Sequence, residues 1–162
     1  MLIVKVDEVI AEAKRLRDAL YPPFEITEGV VMTADEARDI FRNHLPHNTF
    51  WYELLDTSYF IPSLEDTQRI IKWDTVNKAL YIPERRDCDD YGMYMAAMAS
   101  ITFGVNPFFA VWDFDACHFY DLVITAEGGL YVFEPQTDAL WLFSEFVPDS
   151  LHKLSKGKIY GF

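Results

Sequence analysis

Between Pro83 and Gly104 a charged, proline-led run, Pro83-Glu84-Arg85-Arg86-Asp87, gives way at Cys88 to Asp89-Asp90-Tyr91-Gly92 and then to an apolar stretch, Met93 to Phe103. A helix that is apolar all round has no face for water and belongs inside a fold. The segment therefore predicts a buried central helix that begins at or beside Cys88 and stops at Gly104, a residue suited to a C-cap. The rest of the chain has to cover it. The same segment puts a thiol at a helix N-terminus, where free N–H groups and the helix dipole favour a thiolate and draw a cysteine pKa of roughly 8.5 toward neutrality.

Upstream, Val6, Val9, Ile10, Ala13, Leu16 and Leu20 recur at helical spacing, so an amphipathic helix is expected from about residue 6 to 20, ended by Tyr21-Pro22-Pro23. Thr33-Ala34-Asp35-Glu36 reads as a capping box that opens a second helix to about residue 45. Pro62-Ser63-Leu64-Glu65-Asp66 opens a third, to about Lys72, and Phe50 to Phe60 is an aromatic stretch, either extended or a loop. Downstream of Gly104 the period changes. Phe108–Phe114, Cys117–Thr125 and Leu130–Phe133 are rich in β-branched and aromatic residues and predict antiparallel strands, with Trp141–Val147 a further one. Helices followed by strands indicate a single α+β domain over residues 1–162, divided into an N-terminal helical and aromatic part to residue 60 and a core from 61 to 147.

The chain has 162 residues, 51% of them hydrophobic and 16% aromatic, enough for one substantial core. Acids outnumber bases 26 to 14, a net charge of -12, which argues against nucleic acid or anionic lipid as the main partner. Neither a secretory signal nor a run of roughly 20 apolar residues is visible, so a soluble, cytoplasmic protein with reduced thiols is the expectation. Two cysteines are too few for a disulfide scaffold.

A nucleophilic cysteine needs a base within hydrogen-bond reach and a group that orients the base. Of the four histidines, His44 and His47 flank the end of a surface helix and His152 lies in a polar tail, which leaves His118 as the base. If Ala126-Glu127-Gly128 is a three-residue turn with Gly128 in the left-handed region, Thr125 pairs with Gly129. His118 then lies opposite Gln136 and diagonal to Glu134 on one face, so that either side chain could hold the ring. A four-residue loop would send Glu134 to the other face.

A helix-leading cysteine, a histidine on a strand and an acid or amide on the next strand is the order found in papain-like and transglutaminase-like cysteine enzymes. Tyr81-Ile82-Pro83-Glu84, Asp87-Cys88-Asp89-Asp90-Tyr91, His118 and Glu134-Pro135-Gln136 together resemble the papain-like C-terminal domain of a fungal agglutinin and related bacterial and phage proteins, over about residues 61–138. The resemblance implies a papain-like fold and a triad of Cys88 as nucleophile, His118 as base and Glu134 as orienter. It further implies a divalent cation such as calcium, and it leaves out the agglutinin's sugar-binding lectin domain. The expected activity is hydrolysis or acyl transfer at an amide or peptide bond of a protein or peptide substrate. The alternative is a non-catalytic binding or assembly protein that keeps the fold.

Papain's oxyanion-hole glutamine has no counterpart just before Cys88, so the donor is sought in the Cys88 N–H with Asn77 or Gln136. Two carboxylates, Asp89 and Asp90, stand beside the thiol and oppose its ionisation. Arg85 and Arg86 could offset them, as could a cation held by Asp89 or Asp90 with Glu84 or Asp87. Asp87 and Asp90 could equally form an acidic capping box. Cys117 alternates with His118 and is expected as a small buried hydrophobe, and Trp112, Phe119 and Trp141 as core or as walls of a cleft.

Overall fold

A computed structural model describes residues 6–162. The elements are α1 (Val6–Leu20), β1 (Gly29–Thr33), α2 (Ala34–His44), β2 (Phe50–Leu54), β3 (Ser58–Pro62), α3 (Leu64–Trp73), a 3-10 turn (Val76–Lys78), α4 (Cys88–Phe103), β4 (Phe108–Asp113), β5 (His118–Ile124), β6 (Leu130–Glu134), β7 (Ala139–Leu142) and β8 (Gly157–Gly161). The fold is α+β. A six-stranded sheet runs in the order β2-β8-β4-β5-β6-β7, and β1 pairs with β3 in a separate ribbon.

Local chemistry explains most boundaries. Thr33 and Glu36 close a capping box on α2, with the Glu36 N–H on Thr33 Oγ1 at 3.2 Å and the Thr33 N–H on Glu36 Oε2 at 2.7 Å. Ser63 Oγ caps α3 through the Asp66 N–H at 3.1 Å. Gly104 adopts the left-handed conformation, φ 68°, and ends α4.

The sheet separates two apolar layers. On one face Phe109, Val111, Tyr120, Leu122 and Ile124 meet Ala37 and Phe41 of α2. On the other, Phe108, Val123 and Phe133 meet Tyr91, Met95, Ala96 and Ala99 of α4. Gly92 brings α4 close to β5, since a Cβ there would stand 2.9 Å from the Phe119 ring. The central helix is thus not enclosed all round: Met93, Tyr94 and Ile101 face outward with 45%, 58% and 85% of their surface exposed. Apolar composition therefore overstated how completely α4 is enclosed.

Four further features differ from the sequence-based expectation. The sheet is not wholly antiparallel, because β2 runs parallel to β8. Neither of those strands falls within residues 61–147, yet both belong to the main sheet. The stretch expected as a strand from Trp141 to Val147 is instead β7 ending at Leu142, followed by turns. In α1 the described apolar residues Val6, Val9 and Ile10 are exposed rather than part of a core stripe. Among the described residues no helix is long and apolar enough to cross a membrane.

Candidate functional site

The β5–β6 hairpin sets the site. Gly128 has φ 82°, the Thr125 N–H donates to Gly129 O at 3.0 Å, and Asp121 pairs with Phe133 and Ile124 with Leu130. That is the register of the three-residue turn, and the same offset brings His118 level with Gln136. Glu134 shares a face with His118, and its Oε2 lies 2.7 Å from His118 Nε2, both side chains being buried. Its Oε1 accepts the Gln136 N–H at 3.0 Å. Glu134, not the Gln136 side chain, therefore holds the ring. A carboxylate can only accept, so the contact puts a proton on Nε2, and in the neutral ring Nδ1 is then the lone pair.

Cys88 is the first residue of α4. It lines one cleft of about 550 Å³ with His118, Glu134 and Gln136, and a second of about 450 Å³ with His118, Met93, Trp112 and Tyr160. The two groups reach this common mouth from different faces of the sheet. Phe119 and Asp121 point at Gly92 of α4, whereas the His118 ring lies beside Tyr120, 5.9 Å between centroids, on the α2 face. Cys88 as the first residue of α4 and His118 as the first residue of β5 both line the two clefts.

The thiol is not favoured as a thiolate by its protein surroundings. Burial pushes the Cys88 pKa up, the Phe119 N–H directed at the sulfur works against that, and the Asp87 and Asp89 charges reinforce the rise. This corrects the expectation from the helix dipole alone: partial removal from water and two adjacent acids outweigh it. Arg85 and Arg86 do not offset them, since they line a separate pocket with Asp90 and Tyr94. Glu134 behaves oppositely. Burial alone would raise its carboxyl, but hydrogen bonds from His118, His152 and the Gln136 N–H lower it to about 2.

Asp89 lies with Asp87 and Cys88, their ligand-type atoms within 4.8 Å of one another, and the hydrogen bond with Asp87 holds the Asp89 carboxyl above its ordinary range. Asp90 is turned away from that group, its Oδ2 accepting the Asp87 N–H at 3.2 Å as in a capping box. Asn77 donates to Asp138 Oδ2 at 2.6 Å, away from both Cys88 clefts, so it is no oxyanion donor. Gln136 remains beside Cys88. Cys117 is exposed, not buried: its backbone has φ 51° at the turn before β5, which removes it from strand alternation. Trp112, 49% exposed, walls the apolar cleft rather than filling the core.

Two features were not anticipated from sequence in the roles the fold suggests. The first is His152, 3% exposed, whose Nε2 lies 3.3 Å from Glu134 Oε2 and whose Nδ1 lies 3.1 Å from Asp149 Oδ1. The segment looks like a polar tail, but Asp149 also accepts the Leu151 and His152 N–H groups, at 2.8 and 2.9 Å. Reading Pro148-Asp149-Ser150-Leu151 as an Asx turn would have signalled its order. The ligand-type atoms of His118, Glu134 and His152 lie within 4.8 Å of one another, but hydrogen bonds already account for that grouping.

The second is a set of buried oxygens linked by the Asn77–Asp138 hydrogen bond and by the Asp138 charge acting on Asp74. Asp74 Oδ2, Asn77 Oδ1 and Asp138 Oδ1 are buried without a hydrogen-bond partner among the described residues. Asp74 is 2% exposed, and burial with the nearby Asp138 charge raises its carboxyl to about 7, against the Val76 N–H that lowers it. Uncompensated oxygens of this kind are costly, and an all-oxygen set fits a hard divalent cation such as calcium.

No known protein family and no curated protein matches the sequence. Among solved structures the chain is similar to PSL1a in its complex with E64, with a TM-score of 0.59 at 15% identity over 80% of this chain and 50% of that one. It is also similar to Polyporus squamosus lectin bound to a human-type influenza-binding epitope, with a TM-score of 0.55 at 15% identity over 80% and 49%. The likeness is one of fold, and the chain spans about half the length of the chains it matches.

Proposed function

We propose that the protein is a cysteine-dependent hydrolase or acyltransferase acting on an amide or peptide bond, with Cys88 as nucleophile, His118 as base and Glu134 as the residue that orients it. The observation that carries this reading is the His118 Nε2 to Glu134 Oε2 contact of 2.7 Å, which leaves Nδ1 unpaired in a cleft that Cys88 also lines. In the reaction the Cys88 sulfur attacks the carbonyl carbon while its proton passes to His118 Nδ1. The tetrahedral species collapses with that proton going to the leaving nitrogen, the C–N bond breaks, and a thioester remains on Cys88. Water, or an amine in transamidation, attacks the thioester and gives its proton to His118; C–S cleavage returns the thiolate. In this reading the Cys88 N–H and the Gln136 side chain would receive the developing oxyanion, and Met93, Trp112 and Tyr160, which line the cleft, would form an apolar wall on the acyl side.

A calcium ion would be held by Asp74, Asn77 and Asp138 and would supply fixed positive charge to a set of buried acidic and amide oxygens. Those residues join the end of α3 to the β6–β7 turn, two residues beyond Gln136, so a bound cation would stiffen the turn that carries Gln136.

The test is alkylation of the thiols by iodoacetamide from pH 5 to 9, with and without calcium, followed by labelling with the thiol-directed epoxide E64. An activated Cys88 reacts at a rate that plateaus well below pH 8 and takes one equivalent of E64, and His118→Ala abolishes both. A Cys88 rate that rises only above pH 8, as for an ordinary thiol, refutes the enzyme reading. It would favour the second one, a binding module that uses the same cleft, in the way the similar lectin structure is bound to a sugar epitope. The elevated Cys88 pKa favours that second reading. In it, Cys88→Ala leaves ligand binding intact.

A further inference from the structure

We propose that His152 is a positioning residue that fixes the Glu134 carboxylate, and through it the orientation and tautomer of His118. The inference rests on the Cys-His-Glu reading above. Both ring nitrogens of His152 face carboxylate oxygens, Nε2 toward Glu134 Oε2 at 3.3 Å and Nδ1 toward Asp149 Oδ1 at 3.1 Å. Carboxylates only accept, so both contacts are hydrogen bonds only when both nitrogens carry protons. His152 is then an imidazolium, a buried cation between two anions. Glu134 Oε2 receives two N–H groups and Oε1 a third from Gln136, which leaves the carboxylate no freedom to rotate.

The surroundings hold the ring in place. Tyr120 meets it edge-on at 4.7 Å, and Trp141 and Phe146 each lie 5.7 Å away. The titratable groups that face it are Glu134, Asp149, His118 at 5.4 Å between ring centroids, and Tyr120, whose hydroxyl is engaged with Asp113. A Glu134 carboxylate without His152 would keep one imidazole partner, lose a compensating charge, and be free to swing Oε2 off His118. His118 would then populate the other neutral tautomer, with its proton on the nitrogen that has to take one from Cys88. The arrangement parallels the outer-shell partners that set histidine tautomers at metal sites, whose loss costs about tenfold to a hundredfold.

The experiment compares the wild type with His152→Ala, His152→Gln and Asp149→Asn by two measurements: Cys88 alkylation rate against pH, and the ring-nitrogen NMR shifts of His118. Expected for His152→Ala is a rate about tenfold to a hundredfold lower near pH 7, a changed pH profile, and a His118 ring no longer held as the Nε2–H tautomer. Glutamine retains an N–H for Glu134 and should recover part of the rate; asparagine at 149 should behave like a weaker form of the alanine variant. An unchanged profile and tautomer in folded His152→Ala, or in His152→Gln if alanine does not fold, overturns the proposal. If wild-type Cys88 reacts no faster than an ordinary thiol, the enzyme reading fails, and the His118 tautomer decides the role of His152 by itself.

Discussion

Removing or adding a divalent cation should change the stability of this protein through three side chains that no catalytic argument needs. Asp74 Oδ2, Asn77 Oδ1 and Asp138 Oδ1 are buried and unpartnered, and each such group costs about 1 to 3 kcal/mol while it stays unsatisfied. A ligand that satisfies them binds the folded state selectively and, at a hundred times its dissociation constant, stabilises it by about 2.7 kcal/mol. For a domain of this size each kcal/mol raises the melting temperature by about 2 to 4 °C, so saturating calcium should raise it by about 5 to 11 °C. Thermal unfolding followed by circular dichroism, with calcium against a chelator, reads the shift, and titration calorimetry reads the stoichiometry, expected to be one. Asp74→Asn and Asp138→Asn should each abolish most of the shift, whereas Asp89→Asn should leave it. A wild-type melting temperature indifferent to calcium and to manganese refutes the reasoning. So does a shift removed by Asp89→Asn and retained by Asp74→Asn, which would move the ion to the Asp87-Cys88-Asp89 group.

Asp121 is wholly buried with neither oxygen hydrogen-bonded among the described residues, and burial with the Glu134 charge raises its carboxyl well above the usual range. The folded chain therefore keeps a proton that the unfolded chain releases, and this contribution to stability falls as pH rises from about 4. Asp121→Asn should flatten that slope in denaturant melts and gain most over the wild type at alkaline pH. Glu134 has the opposite sign. Lowered from 4.5 to about 2, it contributes about 3 kcal/mol above its unfolded value, lost as pH falls through that window. Glu134→Gln should lose that stability at pH 7, measured by urea titration, and should slow Cys88 alkylation. Met95, with no exposed surface, packs in the α4 layer, and Met95→Ala should cost about 2 to 5 kcal/mol in the same titration.

The sequence was most informative where local chemistry decides structure. Thr33 with Glu36, Ser63 and Gly104 mark helix ends that the structure keeps. A three-residue turn ending at Gly128 implied the register that brings His118, Glu134 and Gln136 to one face; the structure has that register, and the choice of Glu134 over Gln136 came from the fold. What stayed hidden depends on contacts between distant residues. Strand β1 is exposed along most of its length and carries no alternation, and β8 is a five-residue strand following a lysine-rich loop. His152 was hidden because its partner Glu134 lies 18 residues away, and its Asx turn resembles any polar tail. The Asp74, Asn77 and Asp138 group draws on two segments, Asn77 and Asp138 being 61 residues apart, and nothing in their spacing announces it. Cys88 shows the limit of a local rule: its position at a helix start was correct, while the sign of its pKa shift was decided by burial and two acids.

Strand β8 lies between β2 and β4, parallel to one and antiparallel to the other, and a Cβ on Gly157 would collide with the Trp112 carbonyl. Because β2 touches the sheet through β8, its place in the structure has to wait for a segment about a hundred residues further along the chain. The β4–β6 meander and α4 can assemble early from near neighbours, whereas closure over β2 brings together distant parts of the polypeptide. A ribosome-bound intermediate lacking β8 should therefore carry an ordered Cys88 helix beside an open sheet edge, vulnerable to proteases and to pairing with other chains.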